Sequence, residues 1–291
     1  MPKQYNIKLI IAGILFALLW ASASAATKIA LQSAQPFVIA VTRFFIAAAI
    51  MLLIAHVILK QSLPVKQQWK QIAVYGLLNI SIYLGLYVIA MMNVSAGLGT
   101  LSVGTNPVFI SIIAAVWMRQ PVKRSTISSL LLCAAGIITA AYPLLKNSYA
   151  TPGGLLTLLI SMISYSAGAV YFSKNKWDGL NILVINGWQT LFGGIFLLPF
   201  LWLFYDSSKN VYDVKSIGGI LWLAVPVSIG AVQLWLYLLK DNPVKASFWL
   251  FLCPVFGFMI AAVMLKEPVS FYTFIGVALV IAGLYMVQRK K

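Results

Sequence analysis

PVFISIIAAVWMRQPV runs from Pro107 to Val122, and PVFGFMIAAVMLKEPV from Pro254 to Val269. Laid over each other at an offset of 147, 9 of these 16 positions are identical, Pro107, Phe109, Ala114, Ala115 and Pro121 among them. Continued without a gap, Ala135-Gly136 falls on Ala282-Gly283. At the nearly equal offset of 146, Lys28 falls on Lys174 and Arg43 on Gln189. Apolar segments resemble one another by chance, but prolines, glycines and a charge in register do not follow from composition. The chain reads as two copies of one unit, residues 1–146 and 147–291.

Each copy is built from long apolar runs. The 291 residues are 62% hydrophobic and only 9% charged, against roughly 25% charged in a soluble domain. Runs of about 20 apolar residues match the roughly 30 Å of hydrocarbon in a bilayer. Ten spans are expected, at 7–27, 37–59, 71–91, 96–117, 126–145, 153–173, 181–204, 217–239, 247–265 and 270–288. The fold class is therefore an all-α integral membrane protein. With five helices per copy, the second copy enters the membrane from the opposite side, which makes an inverted repeat. The start also resembles a signal peptide, with Lys3, Lys8, an apolar run and Ala21-Ser22-Ala23. The repeat needs this helix, so it is read as the first span.

The net charge of +16 would point to nucleic acid on a soluble protein. Here the cations lie between apolar runs and are read as a solvated face beside anionic lipid. With the N-terminus inside, 15 Lys and Arg fall on inner segments and 5 on outer ones, with Arg43 within a span. That bias places both termini in the cytoplasm. Cys133 and Cys253 both fall in apolar runs and are read as small packing residues, with no metal or disulfide spacing.

Polar residues inside apolar helices are costly, so they mark candidate sites. Several recur every four residues, which puts them on one helix face. Span 1 carries Trp20, Ser24 and Lys28; span 3 carries Tyr75, Asn79, Tyr83 and Tyr87. Span 4 carries Asn106 before Pro107, span 6 Tyr165, span 7 Asn186 and Gln189, span 8 Gln233 and Tyr237, and span 9 Trp249 before Pro254. The expected substrate cavity is Trp20, Ser24, Asn79, Tyr83, Tyr87, Asn106, Tyr165, Gln189, Gln233, Tyr237 and Trp249. The competing reading of each polar residue is a hydrogen bond between packed helices. Trp69 and Trp177, at span ends, are read as interface anchors. Lys28 and Arg43 lie at similar depth and form an expected electropositive vestibule, against snorkelling to headgroups. Pro107 and Pro254 are read as hinges, against static kinks.

Trp20 with Lys28, Pro36 leading into Arg43-Phe44, Pro107-Val108-Phe109, Pro254-Val255-Phe256, Glu267-Pro268, Gly276 and Gly283 together carry a resemblance. The chain resembles the EamA family of the drug/metabolite transporter superfamily over essentially its whole length. The resemblance implies a bacterial inner-membrane exporter of amino acids, other metabolites or drugs. One departure is Gln120, where the first repeat often carries glutamate as the second does at Glu267. The position lies in a loop and is read as immaterial to transport.

All five acids, Asp178, Asp206, Asp213, Asp241 and Glu267, fall in loops or at span ends, and His56 is the single histidine. Proton-coupled pumps hold such groups inside the membrane, so facilitated export or exchange is expected. Gly153-Gly154 and Gly218-Gly219 lack the rest of a phosphate-binding loop. No cofactor, metal site or catalytic residue is expected. A membrane enzyme lacks a constellation of reactive groups within the spans, and a scaffold or lipid-handling protein is the remaining alternative. The expected partners are a small-molecule substrate and the lipid bilayer, not nucleic acid; the sequence specifies no oligomeric state.

Overall fold

The structure is a computed structural model that describes residues 7–117, 124–146, 150–240 and 243–289. Gln120, Pro121, Asp241 and Lys3 lie outside the described residues, as does the side chain of Cys133. The helical runs are α1 (Ile7–Ala30), α2 (Pro36–Ile58), α3 (Lys66–Ala90), α4 (Ala96–Trp117), α5 (Arg124–Lys146), α6 (Pro152–Lys174), α7 (Ile182–Phe204) and α8 (Val214–Leu239). They are followed by α9 (Leu252–Leu265) and α10 (Phe271–Arg289). Seven of these, α1–α4 and α6–α8, are long and apolar enough to cross a membrane. α5, α9 and α10 carry shorter apolar stretches, Ile127–Ala140, Leu252–Leu265 and Phe271–Gly283. Among the described residues there is no strand, only an isolated bridge pairing Val94 with Ala150.

The bundle is apolar outside as well as in its core, unlike a soluble protein, and several of the polar residues of its spans are buried inside. Trp202, Val214 and Val263 are exposed, whereas Arg43, Asn79, Asn106, Asn186 and Gln189 are buried. Hydrocarbon solvates the first set, and neighbouring helices satisfy much of the second. α1 runs through the middle and packs against α4, α8 and α9; α2 pairs with α7, α3 with α6, and α5 with α10. Small residues permit the closest crossings. A Cβ on Gly136 would fall 2.7 Å from the carbonyl oxygen of Gly276, so α5 and α10 meet backbone to backbone.

Three helices contain π segments. α2 ends in a π segment at Leu53–Ile58, α3 contains one at Leu77–Ile82, and α8 one at Leu223–Ala231 around Pro226. α4 breaks at Gly104-Thr105 and restarts at Asn106. Residues 243–251 form a short α turn and a 3₁₀ stretch before α9 starts at Leu252. Pro107 and Pro254 therefore sit in the first turn of restarted helices, where a missing N–H costs little. The break lies just before each proline. The two breaks also meet, because a Cβ on Gly104 would fall 3.2 Å from Pro254 Cγ.

One end of the bundle is held by side chains. Gln35 donates to the Phe204 carbonyl at 2.8 Å and accepts from the Asp206 amide at 2.8 Å and from Asn210 at 2.9 Å. Asp213 caps α8 by accepting from the Ser216 amide at 2.9 Å, and it also accepts from the Ser33 hydroxyl at 2.8 Å. The Ser216 amide and the Ser33 hydroxyl hold the Asp213 carboxyl below its usual range. At the same end, Glu267 accepts from the amides of Ala96 at 2.6 Å and Gly97 at 3.0 Å, while Ser95 accepts from the Leu98 amide at 3.2 Å. Three orphan donors of α4 are thereby met, two of them by a residue 170 positions away in sequence. Glu267 does lie between helices, but it joins two distant parts of the chain.

Candidate functional site: a closed aromatic centre around a buried arginine

Five aromatic rings from four helices close on one another at the middle of the bundle. Phe16 and Trp20, one turn apart on α1, have ring centroids 5.6 Å apart. Trp20 meets Tyr83 of α3 at 6.4 Å and Tyr165 of α6 at 5.9 Å. Tyr83 and Tyr165 are 4.8 Å apart, Tyr165 stacks on Trp235 of α8 at 5.6 Å, and Trp235 returns to Phe16 at 5.1 Å. Each such pair contributes about 0.5–1.5 kcal/mol beyond its buried area. The Tyr165 hydroxyl and the Trp235 indole N–H are buried without a partner. Asn106 Nδ2 is unpartnered too, although Ser166 donates to the Asn106 side-chain oxygen at 3.3 Å. A buried polar group left unpaired costs about 1–3 kcal/mol, and a solute with complementary groups would recover that.

Beside the rings is a hydroxyl cluster. Ser24 Oγ lies 2.6 Å from the Tyr87 hydroxyl and 3.0 Å from Thr100 Oγ1, joining α1, α3 and α4. Arg43 of α2, 6% exposed, reaches the same region. It lines a closed space with Trp20, Tyr83, Tyr87, Thr190 and Ser228. Its guanidinium sits 4.5 Å from the Phe44 ring centroid, and its Nε has no hydrogen-bond partner. The enclosed space is only about 20 Å³, so the centre is closed in this conformation. Ile80, Val227 and Ser228, which also line it, belong to the π segments of α3 and α8, a helix irregularity that recurs at functional sites.

The amides form a separate chain. Asn79 donates to Gln189 at 3.2 Å, Gln189 to Asn186 at 3.0 Å, and Asn186 to the Ser228 carbonyl at 3.1 Å. This relay ties α3, α7 and α8 together at the edge of the centre. In this conformation Asn79 and Gln189 work as helix–helix links, the competing reading given to polar span residues above.

The structure thus brings together Trp20, Ser24, Tyr83, Tyr87, Tyr165 and Arg43, with Asn79, Gln189 and Asn106 alongside. Gln233 is partly buried with an unpartnered Oε1, and Trp249 packs over Gly13 of α1. Tyr237 is 44% exposed on the outer face of α8. Lys28 parts from Arg43: it lines a cavity of about 720 Å³ near the α1–α2 turn, shared with Glu267, Asn93 and Lys209. Tyr75 packs away from the centre, against Phe172 and Trp177. Trp177 donates its indole N–H to the Phe172 carbonyl at 2.8 Å, and Trp69 meets Trp188 edge-on at 4.7 Å. His56 accepts from the Trp188 indole at 3.0 Å through Nε2, and its Nδ1 lies 2.8 Å from the Gln61 carbonyl. The neutral ring with its proton on Nδ1 satisfies both contacts. Among the described residues no group of three His, Cys, Asp or Glu could hold a metal.

Sequence reasoning did not single out Phe16, Trp235, Thr100 or Ser228. The signal in hand was the four-residue step from Phe16 to Trp20; the others carry no mark that separates them from ordinary span residues.

Apolar flanks facing lipid around a polar, aromatic interior define a multi-pass helical membrane protein. Comparison with known proteins carries this further. The chain belongs to the EamA-like transporter family, whose model matches twice, over residues 7–142 and 152–289, and it is a membrane transporter. It is 27% identical over 276 residues to an uncharacterized transporter of Archaeoglobus fulgidus, covering 94% of this chain and 95% of that one. It is 26% identical to Protein PecM of Dickeya dadantii, covering 84% and 82%. It is 25% identical to a chloroplastic WAT1-related protein of Arabidopsis thaliana, covering 92% and 66%. A solved crystal structure superposes with a TM-score of 0.69 over 97% of both chains at 18% identity, a likeness of fold alone.

Proposed function

We propose that the protein is a secondary transporter that exports small amphipathic solutes, amino acids or related metabolites first among them, by alternating access around the aromatic centre. The observation that carries this reading is the closed ring of Trp20, Tyr83, Tyr165, Trp235 and Phe16, with unpartnered polar atoms at Tyr165 and Trp235. Apolar walls supply burial and a few polar groups set orientation. A centre this small must expand to admit a solute, which is what a carrier between open states requires.

In this reading the chain forms ten spans in two inverted five-helix repeats, 1–146 and 147–291, with both termini cytoplasmic in a bacterial inner membrane. The twofold match of the family model supports the repeat. Pro107 and Pro254, each in the first turn after a helix break, are the hinges.

A second reading, export of drug-like or lipid-like amphipaths, is favoured by a groove of about 760 Å³. Leu77, Ile82, Leu86, Phe196 and Phe200 line it, on the opposite side of α3 from the centre. Liposomes loaded with the common amino acids, related metabolites and a set of lipophilic dyes test both readings by mass spectrometry of what leaves. Selective loss of a few polar solutes, slowed tenfold or more by Tyr83→Ala, supports the first. Loss of dyes alone supports the second, and loss of nothing from vesicles holding folded protein removes both.

A further inference from the structure

Among the described residues Arg43 is the one charged side chain lining the closed centre. Buried guanidinium groups are ordinarily paired, because an uncompensated charge in a dry interior is costly. Here none of the described acids pairs with it. Asp206 pairs with Lys209, Asp213 caps α8, Glu267 caps α4, and Asp178 lies in the turn before α7. The Arg43 guanidinium sits 4.5 Å from the Phe44 ring centroid, and it shares the closed space with Tyr83, Tyr87, Thr190 and Ser228, whose own Oγ has no partner. A planar fork of N–H donors matches a carboxylate geometrically, and the hydroxyls can donate to the same oxygens. A solute's ammonium group, in contrast, would find no carboxylate among the described residues of this centre.

Resting on the transport reading but narrowing its solute class, we infer that the centre binds its solute as a monoanion: one carboxylate or equally compact oxyanion gripped by Arg43, on a flat apolar body held by Trp20, Tyr83 and Tyr165, without a free ammonium group, which sets related metabolites with no free amine ahead of the amino acids themselves. The rest of the described wall is aromatic and aliphatic apart from the neutral hydroxyls of Thr190, Ser228 and the two tyrosines, so a second negative charge finds no cation there. Uniport of such a solute carries one negative charge out per turnover. A membrane potential that is negative inside therefore drives export, and no titrating group within the spans is needed. Lys28, separated from Arg43 and facing the open cavity beside Glu267, lies at the outer end in this topology and does not select the anion.

Three probes share one aromatic body and differ in charge: N-acetyltryptophan (−1), tryptophan (0) and tryptophanamide (+1). Proteoliposomes holding the full chain are loaded with each, and valinomycin with a tenfold outward potassium gradient makes the interior negative. The acetylated anion is expected to leave at least tenfold faster than the other two and to approach a tenfold outside-to-inside ratio. Arg43→Gln is expected to lose that preference by tenfold or more, and Arg43→Lys to keep part of it. The wild-type charge series decides the matter even if both variants fail to fold. Tryptophan leaving as fast as its acetylated form, and coming to equal concentrations on both sides, would overturn the monoanion assignment and leave the transport reading standing. Failure of all three probes while another neutral or cationic solute leaves would do the same. Failure of every solute tested would remove the transport reading and this inference with it.

Discussion

Removing the Glu267 carboxylate should open the protein at one end. Glu267 accepts from the amides of Ala96 and Gly97 at 2.6 and 3.0 Å, at the very start of α4. A hydrogen bond to a charged group is worth about 1.5–3 kcal/mol, and loss of a helix cap costs about 0.5–2 kcal/mol. Glu267 is partly exposed, so water takes over part of the freed amides in Glu267→Ala. The net loss is then about 1.5–2 kcal/mol, which is about a 10- to 30-fold change in an equilibrium. Because the contact ties α4 to the segment after α9 beside the large Lys28 cavity, the loss favours the state open at that end. The assay is the modification rate of Ser24→Cys by a water-soluble maleimide, with Cys133 and Cys253 replaced by alanine. Ser24 is 2% exposed in the closed conformation, so the rate follows the open population. The expected rise is about 10- to 30-fold for Glu267→Ala and a smaller one for Glu267→Gln, which keeps one acceptor oxygen. An unchanged rate in folded Glu267→Ala protein would refute the claim that this contact holds the end shut.

Three further outcomes are expected. Gly257→Val places methyl groups on Thr100 where α4 and α9 touch; overpacking of this kind costs about 1–3 kcal/mol or more, and the unfolding midpoint in detergent should fall by several degrees. Asn186→Ala leaves the Gln189 amide and the Ser228 carbonyl without their partner; about 1–3 kcal/mol of stability should be lost, read as a lower unfolding midpoint in the same melting assay. Asp213 has a lowered pKa in the folded state, so its contribution is present above the carboxylate's unfolded pKa and is lost as pH falls through the folded one; between about pH 5 and pH 3 the wild type should lose more stability than Asp213→Asn, and equal acid sensitivity of the two would show that this cap has no such role.

Where the helices run was largely legible. The expected spans 96–117 and 181–204 match α4 and α7 to within a residue, because a membrane helix announces itself by length and apolar content. Which face of a helix turns inward was less legible. A span that is apolar all round gives no amphipathic signal, so Tyr237 and Tyr165 look alike in sequence, yet one is 44% exposed and the other fully buried. The four-residue stripe Tyr75, Asn79, Tyr83, Tyr87 assumed a regular α-helix; the π segment at Leu77–Ile82 changes its register. Tyr75 ends against Phe172 and Trp177 while Tyr83 reaches the centre. Lys28 and Arg43 were placed at similar depth by counting from Gln35-Pro36, which gives height but not direction. Helix packing turns one to the open cavity and the other to the core. The Gln120 departure was read as immaterial because the position lies in a loop, and nothing in the sequence showed that its counterpart Glu267 caps the start of α4; only the fold brings the two together.

The most direct test of the central claim is counterflow. Proteoliposomes are loaded with a high concentration of the solute that the efflux screen identifies, diluted into a trace of the same solute carrying an isotope label, and followed for label inside. Carriage by alternating access through the closed centre predicts a transient accumulation of label above the outside concentration, which Tyr83→Ala and Tyr165→Ala reduce tenfold or more. Label that rises only to the outside concentration, with no overshoot at any loading, would contradict the account.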